Sequence, residues 1–388
     1  MTQAHRHPRP LRVVFTVQGE GRGHLSQALA LKELLEEAGH QVVGLLVGRS
    51  ETRALPAYFA ERMGLEPFFF PSPTTIPGRD RQGVSIRRTT TQTLRRLPAF
   101  RAARASIRAH VEALDPDLVV NFYDALAGVA LRRVSGPRGR LPMVAIGHQY
   151  LLGHSDAPPP PFRPLQLLTF RLLNRLSAPG GVPRLALSFR DLPDGPGTHS
   201  RVIPPLLRRR ILDATPEPGH HLLVYVLNDG YGDVIDRWHA RNPEVRIHAF
   251  WDRKGAPEED TVRPGLTFHR LSDTRFLEKM CSCRGFVGTA GFESVAEALW
   301  LGKPVMVVPT GNQVEQAWNA REAEAAGAGM AADAFDLTPF LAFLEGHHPP
   351  TEAYRAWVRE GRVRTLALLE EAARTGRGIG AGIRPASP

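Results

Sequence analysis

Residues Cys283–Ala320 read CRGFVGTAGFESVAEALWLGKPVMVVPTGNQVEQAWNA, and the order of residue types in this stretch decides the fold. A short apolar run, Phe286-Val287-Gly288, enters a glycine-containing turn, Thr289-Ala290-Gly291. A helix-like segment follows over Ser294–Leu301, with Glu297 one turn inside it. A second buried-strand pattern, Val305–Val308, leads through Gly311-Asn312 to Glu315-Gln316 and Asn319. Strand, glycine turn and helix start together make an anion site, because free backbone N–H groups and the positive end of the helix dipole converge there. A diphosphate fits such a site. A carboxylate one turn in can accept two ribose hydroxyl bonds, and the acid–amide pair beyond it can hold a sugar. The pattern therefore suggests nucleotide-sugar binding, although a strand-turn-helix unit of any α/β domain shares its local features.

Moving towards the N-terminus, the same grammar recurs. Leu11–Val17 is a buried-strand run, followed by the glycine-rich turn Gly19-Glu20-Gly21-Arg22-Gly23. Helical spacing holds from His24 to Ala38, Gly39 supplies the stop, and Gln41–Val47 reads as the next strand. This opening starts a doubly wound sheet. Further strands of that half are expected at Leu118–Asn121, Pro142–Ile146 and Leu185–Phe189, with a linker over Asp191–Pro205. A second series begins at His221–Leu227 and the loop Asn228–Gly232, then passes through Val245–Phe250 and Leu266–His269. A glycine loop thus follows the first strand of each half, which fits two facing domains with a ligand cleft between them. Tyr354–Ala373 is an expected terminal helix, and Thr375–Pro388 reads as a disordered tail.

Composition bounds the function classes. The 388 residues, 42% hydrophobic, suit two domains. No apolar run reaches the ~18 residues of a membrane span. The basic start leads straight into a strand without a signal-peptide core. The only cysteines, Cys281 and Cys283, are too few for a disulfide framework, so a reduced, cytoplasmic protein is expected. The net charge of +10 is carried almost entirely by arginine and suits anionic ligands or an anionic membrane surface. No zinc-finger, RNA-recognition or helix-turn-helix pattern accompanies it, which disfavours nucleic acid.

Two readings stay open for the arginine-rich stretch Arg79, Arg81, Arg87, Arg88, Arg95, Arg96, Arg101, Arg104 and Arg108, expected as a basic helix from Ile86 to Leu114. It is a solvated helical face, or it docks on an anionic bilayer together with Phe68-Phe69-Phe70. The first glycine loop departs from a dinucleotide fingerprint, being G-x-G-x-G, and the second strand ends in Gly48-Arg49-Ser50 without the ribose-binding acid. Arg49 leaves a 2′-phosphorylated dinucleotide as an alternative.

The Cys283–Ala320 stretch resembles the donor-binding box of GT-B glycosyltransferases, roughly His-Cys-Gly-x-Asn-Ser-x-x-Glu, then Gly-x-Pro, then Asp/Glu-Gln-x-x-Asn-Ala. Gly291, Ser294, Glu297, Gly302, Pro304, Glu315, Gln316, Asn319 and Ala320 fall in register; Thr289, Ala290 and Glu293 depart from it. A carboxylate at Glu293 costs diphosphate binding unless it points away or meets a cation. The opening Gly-x-Gly-x-Gly-His and the Gly-Phe-Glu-Ser box are similar to those of a bacterial branch, distantly similar in turn to the peptidoglycan N-acetylglucosaminyltransferase and spanning family 28- and family 1-like enzymes.

The resemblance implies an α/β fold of GT-B type, two facing Rossmann-like doubly wound domains with an interdomain cleft. An acceptor-binding domain would cover 1–205, a donor-binding domain 206–350, a helix crossing back 351–374, and a tail 375–388. It implies transfer of a hexosyl group from a nucleoside-diphosphate sugar, UDP-linked by expectation, to an acceptor hydroxyl, with inversion and with neither metal nor cofactor. Gly291 and Ser294 would face the diphosphate, Glu297 the ribose, and Glu315 and Gln316 the donor sugar, with Thr289 and Gly230 also among the donor-binding residues. Residues near Arg270 would form a base-recognition loop. Gly21, Gly23, His148 and Gln149 would line the acceptor side. His24 would be the catalytic base, its pKa lowered by the helix N-terminus, with Asp124 orienting it. A lipid-linked or cell-envelope acceptor would bring the chain to the inner face of the membrane. A nucleotide-sugar epimerase or hydrolase, or a non-catalytic nucleotide-sugar-binding protein, would carry the same donor box.

Overall fold

Seven apolar segments form one wholly parallel sheet in the first half of the chain. The structure, a computed structural model, describes residues 9–376 except 50–54, 75, 77–84, 133, 137–138, 196–199, 227–228, 254 and 312. From edge to edge the strands are Phe68–Pro71, Gln41–Arg49, Arg12–Gln18, Leu118–Phe122, Met143–Gly147, Arg184–Leu187 and Ser200–Ile203. Leu118–Phe122 and Met143–Gly147 are buried along their whole length, as parallel strands covered on both faces must be. The strand order reverses direction between Arg12–Gln18 and Leu118–Phe122, so a crevice opens at their carboxyl ends. His24 and Asp124 both follow those ends directly.

The second sheet repeats the plan with the order Glu259–Arg263, Leu266–Arg270, Arg246–Trp251, His221–Val226, Cys283–Gly288, Val305–Val307 and Gly329–Ala331. Only the edge strand Glu259–Arg263 is antiparallel. Its reversal lies between His221–Val226 and Cys283–Gly288, which brings the Gly230 loop and the Thr289–Gly291 turn to one crevice. Two parallel-dominated α/β sheets of this kind are the architecture expected from the sequence.

Two expectations are corrected. The segment Asp191–Pro205 is not simply a linker, because Ser200–Ile203 adds a seventh strand to the first sheet. The expected basic helix is two helices, Ile86–Arg95 and Leu97–Leu114, since Pro98 cannot donate to the preceding turn and restarts the helix at its first positions. Two elements that the sequence reading does not name are the strand Phe68–Pro71 and the helix Pro164–Ser177, which follows the run Pro158-Pro159-Pro160-Pro161. Arg79, Arg81, Asn228, Asn312 and the expected tail from 377 onward lie outside the described residues.

The last helix, Thr351–Thr375, packs on both halves. Tyr354 Oη donates to the Ala296 carbonyl of the second half at 3.0 Å, and Trp357 Nε1 donates to the Ser188 carbonyl of the first at 3.1 Å. Gly361 sits against Pro204 so closely that an added Cβ would lie 2.2 Å from its Cδ.

Candidate active site

The helix Arg22–Glu37 begins with the first glycine loop. Gly21 is its N-cap, and Gly19 donates its N–H to the Gly48 carbonyl at 3.1 Å. Any side chain at Gly19 would collide with that carbonyl, at 2.5 Å, so the loop's first glycine is needed for close approach. His24 is buried in the first turn of this helix. Its Nδ1 lies 3.2 Å from Gln27 Oε1, and Gln27 Nε2 donates to Glu293 Oε1 of the second half at 2.7 Å. Because the Gln27 amide faces Glu293, its carbonyl faces His24, and the His24 ring carries its proton on Nδ1. Burial lowers the His24 pKa to about 4, so the imidazole is neutral at neutral pH. Such a lowering is expected from the helix terminus; here its cause is burial, opposed by the hydrogen bond to Gln27.

Asp124 does not orient His24. It is fully buried, caps the helix Ala125–Leu131 by accepting from the Ala127 N–H at 2.8 Å, and accepts from Ser72 Oγ at 2.8 Å. Burial pushes its carboxyl up to about 6 against those hydrogen bonds. The ring beside His24 is instead Tyr123, stacked at 5.8 Å between centroids. Tyr123 holds a left-handed backbone, φ 59°, and donates its hydroxyl to Asn174 Oδ1 at 2.6 Å.

Across the crevice, the helix Phe292–Trp300 starts at Gly291 with no side chain capping it, so the N–H groups of its first turn face the crevice unclaimed by its own helix. Ala290 immediately before it is the second crevice residue in left-handed backbone, φ 54°, a strain of the kind that collects at functional sites. Thr289 is buried; Ser294 Oγ turns back to the Gly291 carbonyl at 3.1 Å. Glu293 turns towards the first half. It is buried, reaches Gln27, and burial raises its carboxyl to about 8, so it is neutral at neutral pH and puts no charge beside the helix start.

Glu297 is buried one turn further in and is already engaged by Arg208 Nη2 at 2.7 Å. The Arg208 guanidinium also meets Asp273 at 2.5 Å, and Asp273 in turn meets Arg210 and Arg62. Burial alone would lower the Arg208 pKa, and the two carboxylates more than reverse it. Any ribose held by Glu297 therefore shares the carboxylate with an arginine that fixes its direction.

The His148–Gln149 loop sits at the end of Met143–Gly147 and meets the second half directly. The His148 ring stacks on Phe292 at 4.3 Å and Trp318 at 4.8 Å, with Nδ1 bonded to the Leu187 carbonyl at 2.9 Å. Burial lowers its pKa to about 4, and Nε2 is left buried without a partner. Gln149 Nε2 donates to Glu315 at 2.8 Å, while its own Oε1 is an orphan, as is Asn319 Oδ1. Loss of water raises Glu315 to about 7. Three unpartnered polar atoms on these facing segments make this the part of the crevice suited to a polyhydroxyl ligand.

Gln316 Oε1 accepts from the Thr310 N–H at 2.7 Å, Gly230 lies in a short 3-10 turn at the crevice rim, and Arg270 is exposed and pairs with Glu258 at 3.0 Å. Gly23 lies under Glu293, whose Cγ would be 3.3 Å from an added Cβ. Among the described residues no group of three or more His, Cys, Asp or Glu could hold a metal ion.

Sequence reasoning missed Gln27, Arg208, Phe292 and Trp318. Only Gln27 left a signal: it stands three residues after His24 on an otherwise apolar helix face.

No curated protein matches the chain at a significant level. Among solved structures it is similar to the glycosyltransferase of kitacinnamycin, with TM-score 0.60 and 17% identity over 94% of this chain and 100% of that one. It is similar to MurG of Acinetobacter baumannii, with TM-score 0.54 and 16% identity over 92% and 99%. It is also similar to UGT89C1 of Arabidopsis thaliana complexed with quercetin, with TM-score 0.56 and 14% identity over 95% and 96%. These likenesses carry the fold, which is GT-B. The profile described as "Glycosyl transferase family 1" matches residues 11–345, so nearly the whole crevice just described, from the first glycine loop to Asn319, lies within that match and the chain belongs to glycosyl transferase family 1.

Proposed function

We propose that the protein moves a hexosyl group from a nucleoside-diphosphate sugar to an acceptor hydroxyl, with inversion at the anomeric carbon and without an essential metal. The observation that carries this reading is the neutral His24 ring, with Nδ1 tied to Gln27 and Nε2 free of any hydrogen-bond partner among the described residues, opposite an uncapped helix start. In the step, the acceptor oxygen attacks the anomeric carbon and gives its proton to His24 Nε2. The bond from that carbon to the diphosphate oxygen breaks, and its electron pair leaves on the diphosphate. Backbone N–H groups at Phe292–Ser294 and the helix dipole stabilise the charge that develops there.

Product analysis tests the proposal. A panel of UDP- and dTDP-sugars is incubated in the presence of EDTA, first alone and then with candidate hydroxyl acceptors. Transfer only when acceptor is present supports it. Rapid sugar release or epimerisation from donor alone would instead favour a hydrolase or epimerase. Glu297→Ala is expected to weaken donor binding roughly 10- to 100-fold, the worth of charged hydrogen bonds to two hydroxyls. Isothermal titration on the folded variant reads this, and unaltered affinity would remove Glu297 from the ribose site.

A lipid-linked acceptor remains part of this proposal. Phe70 is buried and Phe68 stacks on His110, so only Phe69 of the expected aromatic cluster is exposed. The helix Pro164–Ser177 supplies what that cluster does not: exposed Leu165, Leu168 and Leu172 along one side, with exposed Arg171 and Arg175. Exposed Arg87, Arg88, Arg95 and Arg101 add charge on the preceding helices. Pelleting with anionic vesicles at low salt, abolished by Leu168→Asp with Leu172→Asp, is the expected result. Equal recovery in the supernatant with and without anionic lipid would end the membrane reading. No helix among the described residues is long and apolar enough to cross a membrane.

A further inference from the structure

The chain His24–Gln27–Glu293 is not part of the donor box pattern, and it joins the two halves of the molecule. All three side chains are buried: His24 and Gln27 share one face of the helix Arg22–Glu37, and Glu293 stands in the first turn of Phe292–Trp300. Gly23 leaves room for the Glu293 stem, because a Cβ there would press on Glu293 Cγ. Beyond Glu293, the groups facing its carboxyl are Glu297, Arg208 and Tyr354. None of them hydrogen-bonds to it, so Gln27 is its one side-chain partner among the described residues.

We infer that Gln27 and Glu293 are positioning residues for His24, holding its ring in the Nδ1–H form through a hydrogen-bond chain that exists only when the two halves are closed on each other. The inference rests on the reading of His24 as the base. Although protonated, Glu293 turns its Oε1 to Gln27 as an acceptor; an amide donating to that oxygen presents its carbonyl to His24, and that carbonyl calls for a proton on Nδ1. The lone pair is then on Nε2. If the halves separate, Gln27 loses the acceptor that fixes its amide, and the His24 proton is free to sit on either nitrogen. The base is thereby set by closure, with donor-side residue Glu293 reporting across the cleft.

Nitrogen NMR of the full chain labelled with ¹⁵N-histidine tests this without any ligand. With 15 histidines in the chain, the His24 signals are assigned by their loss in His24→Gln. The expected wild-type pattern is a protonated Nδ1 and an unprotonated Nε2. Gln27→Leu and Glu293→Ala are expected to convert it to a mixture or to Nε2–H, and Glu293→Gln, which keeps a neutral hydrogen-bonding group of the same shape, to restore the wild-type pattern. Circular dichroism confirms that each variant is folded, and Glu293→Gln guards against reading misfolding as loss of the relay. With a donor and acceptor found by product analysis, Glu293→Ala is expected to lower kcat roughly 10- to 100-fold with little change in KM for the donor. A His24 ring that stays Nδ1–H in folded Gln27→Leu overturns the inference. Full turnover in His24→Ala overturns the base reading alone, since the tautomer result does not depend on it.

Discussion

His24→Ala is expected to lower turnover by about 10²–10⁴-fold while leaving donor affinity within a factor of about three. The size follows from what the ring supplies, a positioned acceptor for the proton of an attacking hydroxyl. Its binding neutrality follows from its place. His24 lies in the first half, beside Tyr123 and the first glycine loop, whereas the uncapped helix start and Glu297 belong to the second. The His24 ring adds no acid limb to the wild-type profile above about pH 5, because it titrates only near 4 and is unprotonated above that value; limbs nearer neutrality belong to the carboxyls of Glu315, about 7, and Glu293, about 8. Activity then falls as the pH drops through about 4, and the residual activity of the variant should lack that limb. Steady-state kinetics against pH read both outcomes, and turnover unchanged by the substitution would remove His24 from the chemistry.

Arg208→Ala is expected to destabilise the protein by about 3–5 kcal/mol, the largest stability effect of any single change in the crevice. The guanidinium is almost fully buried and pairs with Glu297 and Asp273, so its loss strands Glu297 in a dry site. Asp273 suffers less, because Arg210 and Arg62 remain beside it. Replacing both partners, Arg208→Met with Glu297→Met, should recover most of the stability, since a buried pair exchanged for apolar groups of similar size is close to neutral. That double variant should still fail to bind donor. Urea unfolding of the three proteins decides it, and a loss under about 0.5 kcal/mol for Arg208→Ala would show that the pair is solvated and weak.

The two cases also show what could be read from the sequence and what could not. Both glycine loops, and the donor box with Glu297 and Glu315, are local patterns within a few turns of chain, so strand, turn and helix start were visible in residue order. The seventh strand of the first sheet was not, because Ser200–Ile203 is only four residues long, lacks alternation and follows a Pro/Gly-rich stretch. Asp124 misled for a related reason: an acid after a strand end is equally a helix cap, and only its distance to Ala127 distinguishes the two roles. Arg208 pairs with residues 65 and 89 positions away, and Gln27 with one 266 positions away. No periodicity reports a partner at such separations. Glu293 owes its neutral state chiefly to burial, with Glu297 adding to it, and its burial in the folded chain is not legible from the residues beside it in sequence.

The terminal helix has a consequence for how the chain is made. Its buried residues Trp357, Val358, Leu368, Leu369 and Ala372 cover apolar surface, and it is fastened to the first half by Arg362 to Glu37 at 2.8 Å, Arg364 to Asp194 at 2.5 Å and Glu370 to His40 at 3.0 Å. A ribosome releases the first sheet long before it reaches these residues. At about 5–20 residues per second, the roughly 170 residues between the end of that sheet and the end of the helix take on the order of 10–30 s to emerge. Throughout that interval the nascent first half must keep an uncovered apolar face from sticking to its neighbours, and it gains its last wall only after the whole second sheet has been made.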